Sequence, residues 1–260
     1  MEFKQVVGTR RTIRFFKPWI PVERSKIQVI LEAANRSSRS MNADYVKALV
    51  IHRAELAAET IDLLRVPTAA AALDLAPTYI FWYLDLDYGE PAKERLRELL
   101  DVGALAPSQG WSKSYIEDVV HATVIKPLLD DPQGRLWMGA IESGIAICQA
   151  LLAAVDEGLG VALQAFNSQT AKEAFNIPDN WMPCWLMLLG YPAEDPAAGG
   201  QRPRRPLSDS FYEGSLDTPW REDPDVTEQL RHDGMLQEPA PLPWRKQELK
   251  FLARGFGLPE

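Results

Sequence analysis

The stretch Glu142–Gly160, ESGIAICQALLAAVDEGLG, sits in a longer run, Leu136–Val155, whose pattern sets the architecture. Ile141, Ile145, Cys148 and Leu152 form one apolar stripe at helical spacing, while Gly144, Ala146, Ala150 and Ala153 offer small surfaces for close packing. Such a helix is a central, buried one. Glu157-Gly158 ends it with a C-terminal glycine signal. Two strands follow, Leu159–Phe166 and Cys184–Tyr191, on either side of a short helix at Thr170–Phe175, and Pro192 closes the second.

Upstream, APTYIFWYL (Ala76–Leu84) is crowded with aromatic and β-branched residues and reads as a central strand buried on both faces. Pro21–Arg36 is an amphipathic helix, with Ile27, Ile30, Leu31 and Ala34 at helical spacing. A polar loop leads to a strand at Ala48–Ile51 and a helical stretch at Arg53–Leu64. The charged, Pro- and Gly-punctuated segment Gly89–Pro132 carries helices near Ala92–Leu100 and Tyr115–Leu129 and has the makings of a lid. The tail, Ala193–Glu260, is weakly periodic until Arg245–Leu252 and reads as an arm that needs another surface to pack on.

With 260 residues, 46% of them hydrophobic, the chain supports one sizeable core with appendages. The 28 basic and 36 acidic residues leave a net charge of −8, which disfavours a general polyanion binder, so a nucleic-acid role ranks last. Cys148 and Cys184 lack CxxC or Cys/His spacing, and His52, His121 and His232 are scattered, so no metal site is expected. The N-terminus has no apolar signal core and no uninterrupted apolar span of about 18 residues appears, so a cytoplasmic, non-membrane protein is expected. Gly158-Leu159-Gly160 lacks the third glycine of a dinucleotide fingerprint, Ser143 lacks the G-x-S-x-G elbow, and Asp130-Asp131-Pro132 and Glu194-Asp195-Pro196 read as turns.

The densest chemical signal is GTRRTIRFF (Gly8–Phe16). If this run is helical or turning, Arg10 and Arg14 fall on one face with Arg11 and Thr12 beside them, enough donors for a dianionic phosphate; a solvated basic turn is the alternative. RPRRPL (Arg202–Leu207) is a second basic cluster, read alone as a Pro/Arg linker or, with the first, as the other half of one anion site. The loop SSRSMNAD (Ser37–Asp44) has short polar groups suited to the edge of a planar heterocycle, or simply to turns.

Taken in order, these segments resemble the FMN-dependent nitroreductase family. GTRRTIRFF and PVERSKIQVILEAA are similar to its opening. ANRSSRSMNADYVKALVI runs without gaps alongside the family loop A-P-S-x-x-N-x-Q-P-W, placing Asn42 on the family Asn. APTYIF, ESGIAICQALLAAVDEGLG, LLGYP and PRRPL resemble a strand, the central helix, the V-G-Y-P strand end and the R-K-P-L segment. The resemblance implies an α+β fold: a nitroreductase-like three-layer sandwich, its mostly antiparallel central sheet flanked by helices, in an intertwined homodimer with FMN at the interface and NADPH or NADH as electron donor. Residues 1–207 would form the domain, 88–132 a variable insert or lid, and 208–260 an arm on the partner subunit.

By the same resemblance Arg10, Arg11, Thr12 and Arg14 meet the flavin phosphate and ribityl chain, and Arg202 and Arg204 meet the phosphate from the C-terminal side. Ser40 and Asn42 meet the ring, with Gln164 and Ala165 on a strand that supplies backbone donors near it. Trp111, Tyr115 and Phe166 are expected around a small-molecule acceptor such as a nitroaromatic or quinone. The sequence departs from the family loop where Ser38-Arg39 replaces Pro-Ser and Asp44-Tyr45-Val46 replaces Gln-Pro-Trp. Asp44, counted among the cofactor residues, would oppose the negative charge of reduced flavin unless Arg39 or Lys47 pairs with it. These departures keep two alternatives open: another flavin reaction (oxidation, dehalogenation or flavin fragmentation), and a non-enzymatic flavin-binding paralogue.

Overall fold

The computed structural model describes residues 1–67, 71–87 and 89–259. Tyr88, the first residue assigned to the insert, and Glu260, the last of the arm, lie outside the described residues. Four strands, β1 (Val46–His52), β2 (Thr78–Asp85), β3 (Gly160–Gln164) and β4 (Trp181–Gly190), form an antiparallel sheet in the order β1-β2-β4-β3. β2 lies inside the sheet, as its apolar run Tyr79–Leu84 requires. Alternation sends Tyr79, Phe81 and Tyr83 to one face and Ile80, Trp82 and Leu84 to the other. β4 begins at Trp181, earlier than the pattern of the sequence suggests, because Pro183 falls where the β2–β4 register shifts and its missing N–H is tolerated there.

Helices cover both faces, giving three layers. On one side α2 (Arg24–Asn35) and α7 (Pro132–Asp156) bury Ile27, Ile30, Ala146, Ile147 and Ala150 against Ile80, Trp82, Met187 and Leu189. On the other side α3 (Ala58–Leu64), α4 (Ala72–Leu75) and α8 (Ser168–Phe175) pack Ile61, Leu64, Leu73 and Ala171 against Tyr79, Phe81, Leu186 and Leu188. α7 is long and apolar enough to cross a bilayer, but its inner face is sheet core and carries Glu142. Its outer face leaves Trp137, Ile141, Ile145 and Cys148 exposed.

Two predicted helices are divided. Arg53–Leu64 becomes a single 3₁₀ turn at Arg53–Glu55 followed by α3. Tyr115–Leu129 becomes a π-helix over Tyr115–Ile125 and a short α6 (Lys126–Asp130) with Pro127 in its first turn, where no N–H is needed. α5 (Gly89–Asp101) lies against both the π-helix and the turn at Ser40–Asn42, so the insert rests on the polar loop.

Much of the tail packs on its own chain. α1 (Phe3–Thr9) is held against the end of α9 (Pro224–His232): a Cβ at Gly8 would sit 1.9 Å from the Gly234 carbonyl oxygen, and Lys4 pairs with Asp233 at 2.5 Å. α10 (Arg245–Phe256) places Phe256 against Phe15 and Trp19, with ring centroids 6.2 and 6.3 Å away, while Arg245 pairs with buried Glu194 at 2.6 Å. Between these, a small hairpin joins Phe211 and Trp220 by a 2.8 Å backbone bond and holds Phe211, Tyr212, Leu216 and Trp220 in solvent.

Candidate functional site: an arginine cluster and a strained polar turn

The basic run is extended where the sequence suggested a helix or turn. α1 ends at Thr9, and the chain then lines the free edge of β3: Thr12 pairs in parallel with Val161, and Ile13 N–H donates to the Val161 carbonyl at 2.9 Å. The sheet edge offers partners that one more helical turn would not. Extended alternation puts Arg10, Thr12 and Arg14 on one side and Arg11 and Ile13 on the other. Arg11 and Ile13 are buried, Arg14 is exposed, and Arg10 and Thr12 are half-buried. Glu194 fixes this course: its Oε1 accepts from the Arg14 and Phe15 N–H groups at 2.5 and 3.0 Å.

Arg11 has its donors occupied. It donates to the carbonyls of Gly8 (2.6 Å), Arg10 (3.0 Å) and Ala197 (3.2 Å) and to Gln237 Oε1 (2.7 Å). It ties the N-terminal run to the tail. Arg10 differs. Burial pushes its guanidinium below the ordinary arginine range and the nearby charge of Arg204 pushes it further. Arg11 is lowered by burial and then by Arg10 and Arg202. Residues nearly two hundred positions apart in the chain thus crowd four cations together. Among the described residues no carboxylate pairs with Arg10, Arg202 or Arg204. Partly desolvated Arg10, beside exposed like charges and without a counter-charge among the described residues, makes a site that an anion would stabilise. The forked donors suit phosphate oxygens.

The second half of the site is the turn Ser40–Asn42. Met41 (φ 56°) and Asn42 (φ 54°) are consecutive non-glycine residues in the left-handed region, an arrangement that costs about 1–2 kcal/mol per residue. The surroundings hold it there. Asn42 N–H donates to the Arg39 carbonyl at 3.2 Å, Ala43 N–H to the Ser40 carbonyl at 3.1 Å, and Ser40 N–H to Glu142 Oε1 on α7 at 2.9 Å. Asn42 is exposed. Asp44 pairs with Arg39 at 2.5 Å, so of the two counter-charges considered for this carboxylate Arg39 is the one in place, while Lys47 pairs with Asp85 at 3.5 Å.

The two halves meet α7 at different faces, one buried and one exposed. The turn meets α7 at Glu142, whereas Arg10 lies within electrostatic reach of Cys148. Six residues separate these positions, about 9 Å along the helix and about 240° around it. A cleft of about 670 Å³ opens on the Arg11 side of the run beside Ile13, Lys17 and Leu159, where Arg11 is already bonded to Gln237 and Glu194 to Arg245.

The sequence model of the Nitroreductase family matches residues 7–191. The chain belongs to the nitroreductase family. A nitroreductase family protein from Streptococcus pneumoniae is 19% identical, with a TM-score of 0.60 over 82% of this chain and 100% of that one. A protein from Exiguobacterium sibiricum, assigned as a nitroreductase and solved in complex with FMN, is 20% identical, with a TM-score of 0.63 over 82% and 98%. A third, from Staphylococcus epidermidis and assigned as an NAD(P)H:FMN oxidoreductase, is 16% identical, with a TM-score of 0.63 over 82% and 95%. These likenesses show a shared nitroreductase fold. A search of curated proteins finds no match.

In this family member β3 ends at Gln164, whose side-chain Nε2 is buried with no hydrogen-bond partner among the described residues. Ala165, next along the chain, is exposed. Phe166 turns inward, its ring edge-on to Phe81 at 5.1 Å and to Tyr83 at 6.2 Å, so it packs in the core. Trp111 and Tyr115 meet edge to face at 5.5 Å, and Trp111 and Met41 both lie against the cluster of Leu96, Ile116 and Val120. The aromatics of the insert are therefore close to the strained turn. Arg202 and Arg204 are exposed, and Arg204 makes only a 3.4 Å contact with the Pro203 carbonyl among the described residues. Sequence reasoning missed Glu142 and Glu194. The first is an acid inside an otherwise small and apolar helical face, a signal that was legible; the second is hidden in what reads as a turn.

Proposed function

We propose that this nitroreductase family member is an FMN-dependent oxidoreductase that transfers a hydride from NADPH or NADH to an electron-poor acceptor such as a nitroaromatic or quinone, and that it works as a homodimer in the reducing cytoplasm. The observation that carries the reading is the partial burial of Arg10 and Arg11 next to like charges: burial first, then Arg204 for Arg10, and Arg10 and Arg202 for Arg11, lower both guanidiniums. Arg10, Arg14, Arg202 and Arg204 would hold the phosphate, with Arg11 bracing the run beneath them. The buried, unpartnered Gln164 Nε2 at the end of the neighbouring strand fits a carbonyl acceptor such as a flavin ring offers. Ser40 and Asn42 would meet the ring and Trp111 and Tyr115 the acceptor.

FMN, when bound, supplies the two-electron chemistry by which a hydride passes from nicotinamide to acceptor. The side chains bind, orient and exclude water; no general acid or base among them is required. A second copy of the chain is favoured by two features. The stripe of Trp137, Ile141 and Ile145, which are 63%, 43% and 39% exposed, leaves apolar surface on α7 in water. The turn and the arginines also face different ways on α7, so a site that uses both draws on two chains.

The test is anaerobic addition of NADH or NADPH to the purified, FMN-loaded protein. The yellow band near about 450 nm should bleach and return on adding a nitroaromatic or quinone. A protein that takes up no FMN, or a band that neither nicotinamide bleaches, would overturn the proposal.

A further inference from the structure

Glu142 is 5% exposed, midway along the inner face of α7. Its Oε1 accepts the Ser40 N–H at 2.9 Å, and its Oε2 is buried without a partner among the described residues. Burying a carboxylate with one of its oxygens unsatisfied is unfavourable, so a position that served only packing would favour an apolar side chain. What the carboxylate does reach is the first residue of the turn whose next two residues, Met41 and Asn42, hold left-handed conformations. Strained backbone persists only where its surroundings over-determine it. Here the outer tie is the Arg39–Asp44 pair, and the tie from beneath is Glu142.

We infer that Glu142 is a positioning residue: its buried carboxylate pins the Ser40 amide and so holds the strained turn that presents Ser40 and Asn42 to the flavin ring. The inference rests on the FMN reading above. Glu142 touches neither ring nor substrate in this role and acts only through the turn.

Glutamine and methionine both approximate the size of glutamate, but only glutamine can accept the Ser40 N–H. Amide hydrogen exchange and FMN titration on Glu142→Gln and Glu142→Met therefore separate positioning from packing. The Met variant is expected to exchange the Ser40 amide at least tenfold faster and to bind FMN at least tenfold more weakly, with a shifted visible band, while the Gln variant stays close to wild type. Ser40→Pro removes the same donor from the other partner and leaves α7 untouched. Arg39, extended at φ −136° and ψ 135°, accepts a following proline. That variant should match the Met variant in FMN affinity, with Ser40→Ala as the control for the lost hydroxyl. Equal behaviour of the Gln and Met variants, or a Ser40→Pro protein that binds FMN like Ser40→Ala, would overturn the inference. A wild-type protein that takes up no FMN would overturn the cofactor reading instead, and the exchange comparison would still decide whether Glu142 holds the turn.

Discussion

Arg10 and Arg11 are neighbours with opposite assignments, and replacing each with alanine separates them. Arg10 is partly desolvated beside Arg204, with no carboxylate partner among the described residues. Its loss removes charge-assisted bonds to a phosphate, each worth roughly 1.5–3 kcal/mol, so Arg10→Ala should weaken FMN binding by about 2 kcal/mol, or about 30-fold in Kd. It also relieves repulsion, so the apo protein should lose no thermal stability. Arg11→Ala leaves the Gly8 and Ala197 carbonyls and Gln237 Oε1 without their donor. At about 1–3 kcal/mol for each buried unsatisfied group, discounted for partial hydration, it should destabilise the fold by about 3 kcal/mol. The assay is fluorescence titration with FMN and with riboflavin, beside urea unfolding of the apo proteins. Riboflavin lacks the phosphate and should bind wild type and Arg10→Ala about equally. Equal losses for the two ligands, or an Arg11→Ala protein as stable as wild type, would refute the assignment.

Other consequences follow from single groups. If the Arg39–Asp44 pair keeps the ring edge neutral, Asp44→Gln should raise the flavin midpoint potential and Arg39→Gln lower it, with the double variant near wild type in anaerobic redox titration. Burial pushes the Tyr83 phenol from its ordinary value of 10.0 up to about 12. Because the folded state favours the neutral form, Tyr83 contributes its stability fully below pH 10 and loses it as pH rises from there through about 12; Tyr83→Phe should flatten stability across that window in equilibrium unfolding. The Tyr83 hydroxyl is also buried without a partner among the described residues, so the same variant should be about 1–2 kcal/mol more stable at neutral pH. Glu194→Ala should cost about 3 kcal/mol, because the Arg14 and Phe15 N–H groups lose their acceptor and Arg245 keeps only Glu248, and should make α10 the first segment cut in limited proteolysis.

The core was legible wherever one periodicity ruled. The helical period gave α7 and Tyr79–Leu84 gave β2, but the face of α7 that meets the sheet is the small-residue one, Ser143, Ala146, Ile147 and Ala150, and the apolar stripe of Ile141, Ile145 and Cys148 is left exposed. What was hidden depended on partners distant in sequence. The run Arg10–Arg14 has no local reason to be extended; the free edge of β3 and the carboxylate of Glu194 impose it, and they turn Arg11 inward. Pro183 obscured the start of β4 because a register shift is invisible without β2 beside it. The inward packing of Phe166 on Phe81 and Tyr83 was likewise hidden, because β2 lies some eighty residues away in sequence. The tail appeared to lack a surface, yet Phe256 finds Phe15 and Trp19 on the same chain, leaving the hairpin around Leu216 to project from it.

The central claim is that distant arginines hold one flavin phosphate per chain in a two-chain assembly, and sedimentation velocity followed at about 450 nm, where oxidised flavin absorbs, tests it most directly. The yellow boundary should move at twice the chain mass with one FMN per chain, and Arg10→Ala should shift colour into the slow free-flavin boundary while the protein remains dimeric. Flavin sedimenting with single chains, or moving only as the free cofactor beside wild-type protein, would contradict it.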